Sequence, residues 1–596
     1  MVREAPAPPP LAKKGLSRSP RPKEPVLDVT NIQGNILAGF KKDYQTFLFL
    51  RITNASAART WLRQLLPYIA TTWEVLEFNR LFKEIRRRRE EDSRTLQATW
   101  VNVALSFNGL RAIEKAAKDL AKDAGRFRAF KSKKRGVFSV NLFKDEAFRE
   151  GLTSRRAKDK LNDPSSGEGE PSNWKFGGPG KKADIVVIVA SDDRDDLNHE
   201  VARIKRTIRR PASGLTSIYT QEGATLPGRL RGHEHFGYLD GVSQPGIRGL
   251  VPADPDGVLT RRQNPNNKDQ GKPGQDLVWP GEFVFGYPGQ MTKPGRDSLG
   301  KGKDAAGPVW ARDGSYFVVR RLRQNVPLFH KFLEDTAKQI GSTADRLGAK
   351  LVGRWTSGAP VMRAPLADNT TLASEDCANN HFEYQKKSDP INPPAAAQAR
   401  QTESHRCTDN VHPQSPGDKT GDICPFAAHI RKTYPRDDTG TLMKQMGKTT
   451  TQTHRLLRRG IPYGTPFFED RQRDERDRGL VFAAYQTSII NQFEFVQSAW
   501  ANNPDFKDKA AGGKLVSGFD LIIGQAGGDR KRSCPVRLNG KTHLVTADKD
   551  FVIPTGGGYF FAPSIDALCL LTGSDPEPGR EAEKKSLGNP SQRSAQ

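Results

Sequence analysis

Residues 46–52 (TFLFLRI) form a mostly apolar run of strand length, and the polarity pattern then changes period. Across 55–70, Ala58, Trp61, Leu62, Leu65, Leu66 and Ile69 recur at helical spacing. The same succession returns at 316–322 (YFVVRRL). There Asn325 stands as an N-cap before a helix whose apolar face is Leu328, Phe329, Phe332, Leu333 and Ile340, ended by Gly341. Each half carries a second pair. DIVVIVA at 184–190 leads through Ser-Asp-Asp to a helix with Leu197, Val201, Ile204 and Ile208, and LVFAAYQ at 480–486 leads to a helix over 489–500. Val101, Val103 and Leu105 alternate as a half-buried strand does. Two strand–helix pairs per half predict an α+β fold of two sandwich domains on one plan.

Between these elements, 250–310 and 365–420 are dense in Gly, Pro, Asn and charge. They are too long for plain connections, so each is expected to be an excursion or insertion. Residues 1–26 and 573–596 read as loose tails. The expected plan is therefore a first domain over 27–250, an excursion over 251–310 and a second domain over 311–572 that carries the 365–420 insertion.

Composition narrows the classes. The 596 residues are 35% hydrophobic, with 30 Phe, 8 Trp and 11 Tyr, which excludes a disordered chain. No apolar run reaches the ~18 residues of a membrane-spanning helix. The first 26 residues carry no apolar stretch of signal-peptide length, so a cytoplasmic protein is expected, with an extracellular one as the alternative. Five cysteines without a CxxC pair indicate neither a disulfide framework nor a zinc site. The net charge of +26 admits nucleic acid as a partner. However, Arg86–Arg89 runs directly into Glu90, Glu91 and Asp92, a self-paired helix face, and no nucleic-acid-binding motif accompanies the charge.

Three short segments carry the candidate chemistry. In CPFAAHIRKTYPR (424–436) an apolar stretch delivers His429, followed by Arg431, Lys432 and Arg436. An imidazole beside cations suits an axial haem ligand with propionate partners, although a core histidine before a basic loop accounts for the segment better when it is read alone. In FGYLDGVSQP (236–245), Gly237 and Gly241 bracket Asp240; the segment serves equally as a tight turn and as a close-approach loop for a flat ligand. In LLRRGIPYG (456–464), a rigid turn follows Arg458 and Arg459 and can present a fixed cation. His233 and His235 in HEH lack a third metal ligand and read as loop histidines. His381, His405 and His412 read as exposed.

In combination and order, these segments resemble the DyP-type (dye-decolourising) haem peroxidases over most of 28–572. GYLDG resembles that family's GxxDG motif, with Asp240 as the distal aspartate. The 424–436 segment is similar to its proximal segment, with His429 as ligand to the haem iron. RRGIPYG resembles its distal-arginine segment, with Arg458 in the catalytic position. NIQGNIL (31–37), PGEFVFGY (280–287) and LVFAAYQ are also similar to family segments. The resemblance implies two ferredoxin-like domains forming a dimeric α+β barrel-like unit, and haem b (iron protoporphyrin IX) held mainly by the second domain. Arg431 and Arg436 would stand near the propionates, and Leu480 and Phe482 would line the distal pocket. Asp520 would accept the ligand's other N–H, a position that a turn aspartate before a strand fills equally well.

The implied activity is reduction of hydrogen peroxide and one-electron oxidation of aromatic, phenolic or dye-like donors. Asp240 would act as general base, and Arg458 would stabilise charge as the O–O bond breaks. Tyr434, Tyr463, Tyr485 and Trp500 are candidate relays to surface donors. Neither nucleic acid nor a membrane span is expected, and an oligomer is compatible with the sequence. Two rival classes stand beside this reading: a haem-binding or haem-iron-handling protein of the same fold, and a basic nucleic-acid-binding module. Mere haem binding needs neither an acid–base carboxylate nor a distal cation.

Overall fold

The computed structural model describes residues 24–89, 96–123, 131–132, 136–250, 267, 269–290, 301–305, 307–388, 412–438, 447–467, 476–508, 514–527 and 531–574. Most of residues 1–26, most of 573–596, His405 and Cys407 lie outside them, as do parts of the expected excursion and insertion.

Nine strands make one antiparallel sheet: β1 Tyr44–Ile52, β2 Thr99–Leu105, β3 Ile185–Ser191, β4 Leu215–Ala224, β5 Ser315–Gln324, β6 Leu457–Arg458, β7 Ile461–Tyr463, β8 Gly479–Gln486 and β9 Val552–Ala562. Their order is β6-β8-β5-β9-β2-β3-β1-β4, with β7 also paired to β8. In each half the fourth strand lies beside the first, then the third, then the second, which is the ferredoxin-like order. The halves join where Phe561 of β9 pairs with Leu105 of β2. The two ends of the sheet also approach each other. A Cβ on Gly223 of β4 would come within 2.5 Å of Ile461 Cγ2 on β7, so the barrel closes over a glycine.

The sequence periods account for these elements. Helix α1 (Ala55–Leu65) is capped by Asn54, which accepts Ala57 N–H at 3.0 Å, and buries Ala58, Trp61, Leu62 and Leu65. Helix α2 (Arg194–Ile208), capped by Asp193, buries Leu197, Val201, Ile204 and Ile208. Helix α3 (Val326–Gln339) is capped by Asn325, as its spacing predicts, and Gly341 beyond its end is left-handed at φ 66°. The expected helix after β8 is instead two π-helical segments, Ile489–Glu494 and Val496–Ala501.

Along β1, Leu48 and Leu50 face the outer helices while Phe47 and Phe49 face inward, with Phe317, Val319, Val481, Ala483 and Phe560 from the second half. The 27–40 segment fills this interior with Leu27, Ile32, Ile36, Leu37 and Phe40. That filling corrects the half-buried reading of β2, which is buried on both faces from Val101 to Leu105. Its inward Asn102 accepts Asn35 N–H at 2.8 Å and donates to Ala70 O at 2.9 Å. Gln33 donates to Val103 O and to Pro563 O (2.9 and 2.7 Å), which ties NIQGNIL across the seam between the halves.

Candidate active site

One cavity, about 290 Å³, gathers Asp240, His429 and Arg458. Asp240 sits on a loop made possible by Gly237 (φ 96°) and Gly241 (φ 76°), both in the region that disfavours side chains. Its own N–H donates to Gly232 O at 3.0 Å, and Gly241 N–H donates to its Oδ1 at 2.6 Å. Arg458, at the end of β6, donates from Nη1 to Asp240 Oδ1 at 2.9 Å and from Nη2 to Ser243 O at 3.2 Å. Gln244 brackets the Arg458 backbone, receiving its N–H at 3.4 Å and donating to its carbonyl at 3.2 Å. Burial alone would raise the Asp240 pKa, but the Arg458 charge and hydrogen bond hold it below the ordinary 3.8. Asp240 therefore stays ionised at neutral pH.

The two arginines of RRG part company. Arg459 turns away to donate to the carbonyls of Asn35 (3.0 Å), Ile36 (3.1 Å) and Leu37 (2.8 Å), so it anchors the barrel filling. Only Arg458 reaches the cavity.

His429 opens a short helix, His429–Thr433. Its Nδ1 lies 2.8 Å from Oδ2 of Asp520, whose other oxygen accepts Ile522 N–H (2.8 Å) and Ile523 N–H (3.1 Å). Asp520 is wholly buried. Burial works against the imidazolium, but the Asp520 carboxylate outweighs it and raises the His429 pKa. With Nδ1–H engaged by a carboxylate, the neutral imidazole keeps its Nε2 lone pair for a ligand in the cavity.

Leu480 and Phe482 line the cavity from β8, while the alternate residues Val481 and Ala483 join the barrel interior. Arg436 lines it too, donating to the carbonyls of Asn380 (3.1 Å) and Phe382 (2.8 Å). The structure corrects the expectation for Arg431. It is absent from the cavity lining, and its charge is answered by two buried carboxylates, Asp418 at 2.9 Å and Asp438 at 2.6 Å.

Two further cavity arginines went unread in the sequence. Arg354 donates to Gly358 O, Asn379 O and Asn380 Oδ1. Arg455 lies over the Tyr434 ring at 3.6 Å and has no ion-pair partner among the described residues. Burial, then Arg436, pushes the Arg354 pKa down to about 9; burial and the charges of Arg436 and Arg458 lower that of Arg455. No spacing rule brings residues 354, 436 and 455 together, so only the fold reveals the cluster. Phe382 and Tyr384, from the expected insertion, complete this end of the wall.

The remaining candidates fall elsewhere. His233 lies within hydrogen-bond distance of Arg231 O and Thr356 O (both 3.1 Å), and His235 Nε2 of Tyr463 O at 2.8 Å. His381 and His412 are buried, contrary to expectation, and His412 pairs with Glu375 at 3.1 Å. Of the relay candidates, Tyr434 lines the cavity and donates to Asp276, whereas Tyr463, Tyr485 and Trp500 are buried away from it. A disulfide corrects the cysteine reading: Cys377 is disulfide-bonded, while Cys424, Cys534 and Cys569 are free and buried.

This donor set defines a class. An imidazole with a free Nε2, apolar walls and guanidinium groups in excess of carboxylates fit a flat apolar cofactor that carries anionic groups and a metal in its plane, as haem does.

The comparisons agree. Residues 31–227 match the model of the DyP dimeric alpha+beta barrel domain, and 303–511 that of the Dyp-type peroxidase C-terminal domain. "Peroxidase 2" of Mycetinis scorodonius is 32% identical over 558 residues, 91% of this chain and 87% of that protein. The solved structure of an ancestral D-type dye-decolorizing peroxidase is 33% identical with a TM-score of 0.65, covering 91% of this chain and 99% of its own. A variant of the dye-decolorizing peroxidase of Pleurotus ostreatus is 30% identical with a TM-score of 0.67, covering 92% and 100%. The chain belongs to the DyP-type peroxidase family and is a haem-dependent peroxidase. Among the described residues, no helix is long and apolar enough to cross a membrane.

Proposed function

We propose that the cofactor is haem b, ligated by His429 Nε2, and that Asp240 and Arg458 are the catalytic pair for hydrogen peroxide. The observation that carries this reading is the opening of the His429–Asp520 pair and the Asp240–Arg458 pair into one cavity. Arg354, Arg436 and Arg455 would face the cofactor's carboxylates, and Leu480 and Phe482 its apolar surface. Haem bound there would supply the redox-active iron for the reduction of peroxide.

Asp240, kept ionised by Arg458, takes a proton from hydrogen peroxide and returns it to the departing oxygen as water. Arg458 lends its positive charge to the oxygen on which negative charge builds. Asp520 holds the His429 Nδ1 proton and makes the ring a stronger donor. Aromatic, phenolic or dye-like donors then return the electrons one at a time. A haem-handling role without turnover would have no use for an ionised carboxylate held by a cation.

We also read 27–250 and 311–572 as two units of one plan, supported by their shared strand order. The Cys377 disulfide favours an oxidising compartment over the cytoplasm. The test is an absorption spectrum of the purified protein before and after peroxide, followed by acid extraction of the cofactor. Extractable haem and a peroxide-dependent spectral change that an aromatic donor reverses are expected. Protein that takes up no haem, or haem protein inert to peroxide, would overturn the reading.

A further inference from the structure

Glu234 lies in the wall of the same cavity, between the two loop histidines, and the peroxidase reaction as derived above makes no use of it. Its Oε1 accepts Tyr238 N–H at 2.9 Å, its Oε2 accepts Phe236 N–H at 2.9 Å, and Gln324 Nε2, at the end of β5, also donates to Oε2. The backbone answers in kind. Glu234 N–H donates to Tyr238 O and Gly237 N–H to Glu234 O, both at 3.0 Å, and two residues on Asp240 N–H donates back to Gly232 O. One carboxylate thus closes the turn that leads into Asp240 and fastens it to the sheet.

Glu234 has no ion-pair partner among the described residues. Burial, opposed by these hydrogen bonds, pushes its pKa up to about 7, and the charge of Asp240 adds to the rise. A half-buried carboxylate with no ion-pair partner among the described residues, beside a second carboxylate, is a poor stabilising device. What it supplies is geometry: two acceptor oxygens of one rigid group set the spacing of two backbone N–H donors.

We propose that Glu234 is a positioning residue for the peroxidase reaction, clamping the 234–238 turn to Gln324 so that Asp240 meets Arg458 at the distal side of the cavity. The proposal rests on the assignment of Asp240 and Arg458 as the catalytic pair. Glu234 does not touch peroxide; it acts through Asp240. Glutamine at 234 keeps the shape but has one acceptor oxygen where the turn needs two, and its amide would face a backbone N–H as donor against donor. The turn must then shift, and small displacements of a proton-transferring group are expensive in rate.

The experiment is a double-mutant cycle on the full-length haem-loaded protein with stopped-flow mixing against hydrogen peroxide, joined to crystal structures. Glu234→Gln should slow the peroxide-dependent spectral change about tenfold with haem content unchanged, and its structure should lack the 2.9 Å Asp240–Arg458 contact. In an Asp240→Asn background the same substitution should change the rate less than twofold, because nothing is left to position. Gln324→Ala, which cuts only the link to β5, should slow the parent less and in the same direction; it carries the test should Glu234→Gln fail to fold. An intact Asp240–Arg458 contact with parental rates would overturn the proposal. So would an equal loss in both backgrounds. If Asp240→Asn alone leaves the parental rate unchanged, it is the catalytic assignment beneath the proposal that has failed.

Discussion

Replacing Arg455 with leucine should move two quantities in opposite directions. In the haem-free protein the Arg455 guanidinium is 8% exposed and has no ion-pair partner among the described residues; burial outweighs the favourable fields of Tyr434 and Asp276, and Arg436 and Arg458 add repulsion. Exchanging such a buried cation for an apolar side chain of similar size is worth about 1–4 kcal/mol in favour of folding. The lost cation–π contact with Tyr434, at 3.6 Å, returns about 1–2 kcal/mol of that. The haem-free variant should therefore be as stable as the parent, or more stable by about 2 kcal/mol, in denaturant unfolding. Haem binding should go the other way. Losing one charge-assisted hydrogen bond to a cofactor carboxylate costs about 1.5–3 kcal/mol, or roughly 10- to 100-fold in affinity. Transfer of haem to an excess of an acceptor apoprotein, followed at the Soret band, measures that loss. A variant that holds haem like the parent while its haem-free form is destabilised would refute the reasoning and reduce Arg455 to a packing partner of Tyr434.

His429→Ala should abolish or loosen haem binding, whereas His381→Ala and His412→Ala should leave the Soret band unchanged; the reverse pattern would refute the ligand assignment. Asp240→Asn and Arg458→Leu should each slow the reaction with peroxide, by about 10²–10⁴-fold and about 10²–10³-fold, with haem retained. Because Arg458 holds the Asp240 pKa below its ordinary value, the base of the parent is lost only as pH falls below the usual carboxylate range. In Arg458→Leu burial is left to dominate, so the acid limb of the pH–rate profile should move to higher pH; an unmoved limb contradicts the pairing. Arg459→Ala strips donors from three backbone carbonyls and should cost about 3 kcal/mol in unfolding free energy.

The parts of this molecule that a sequence displays are those governed by local period and local chemistry. Both ferredoxin-like units are visible because β1, β3, β5 and β8 are each long apolar runs feeding a helical or helix-like segment. Asp240, His429 and Arg458 each stand in a framed segment that is ambiguous by itself; the combination and order of the three segments single them out. What stays hidden depends on distance along the chain. Arg354 and Arg455 look like ordinary basic residues until the fold sets them around one cavity. Arg431, two residues from His429, looked like a cofactor contact, but Asp418 and Asp438 had to be folded against it before its charge was visibly spent. The burial of β2 on both faces depends on 27–40 entering the barrel, which the alternation of β2 itself cannot report.

The proposed assignment also separates holding the cofactor from acting on peroxide. His429, Asp520 and the arginines at 354, 436 and 455, which on the proposed assignment would hold the cofactor, all come from the second half of the chain. The distal pair is different. Asp240 arrives at the end of the first half and Arg458 from the second, and their contact depends on how the two halves meet. Three devices fix that meeting: Gln244 bracketing the Arg458 backbone, Arg459 gripping the carbonyls of 35–37, and Gln33 spanning the β2–β9 seam. Two of them lie in the RRG and NIQGNIL segments, so those segments also carry the joint between the halves. A side chain that moves a proton must be placed within a fraction of an ångström, while a ring wedged between apolar walls tolerates more. Arg458 and Arg459, adjacent in sequence, thus turn to different partners, one to Asp240 at the proposed reaction site and the other to the carbonyls of 35–37 at the joint between the halves.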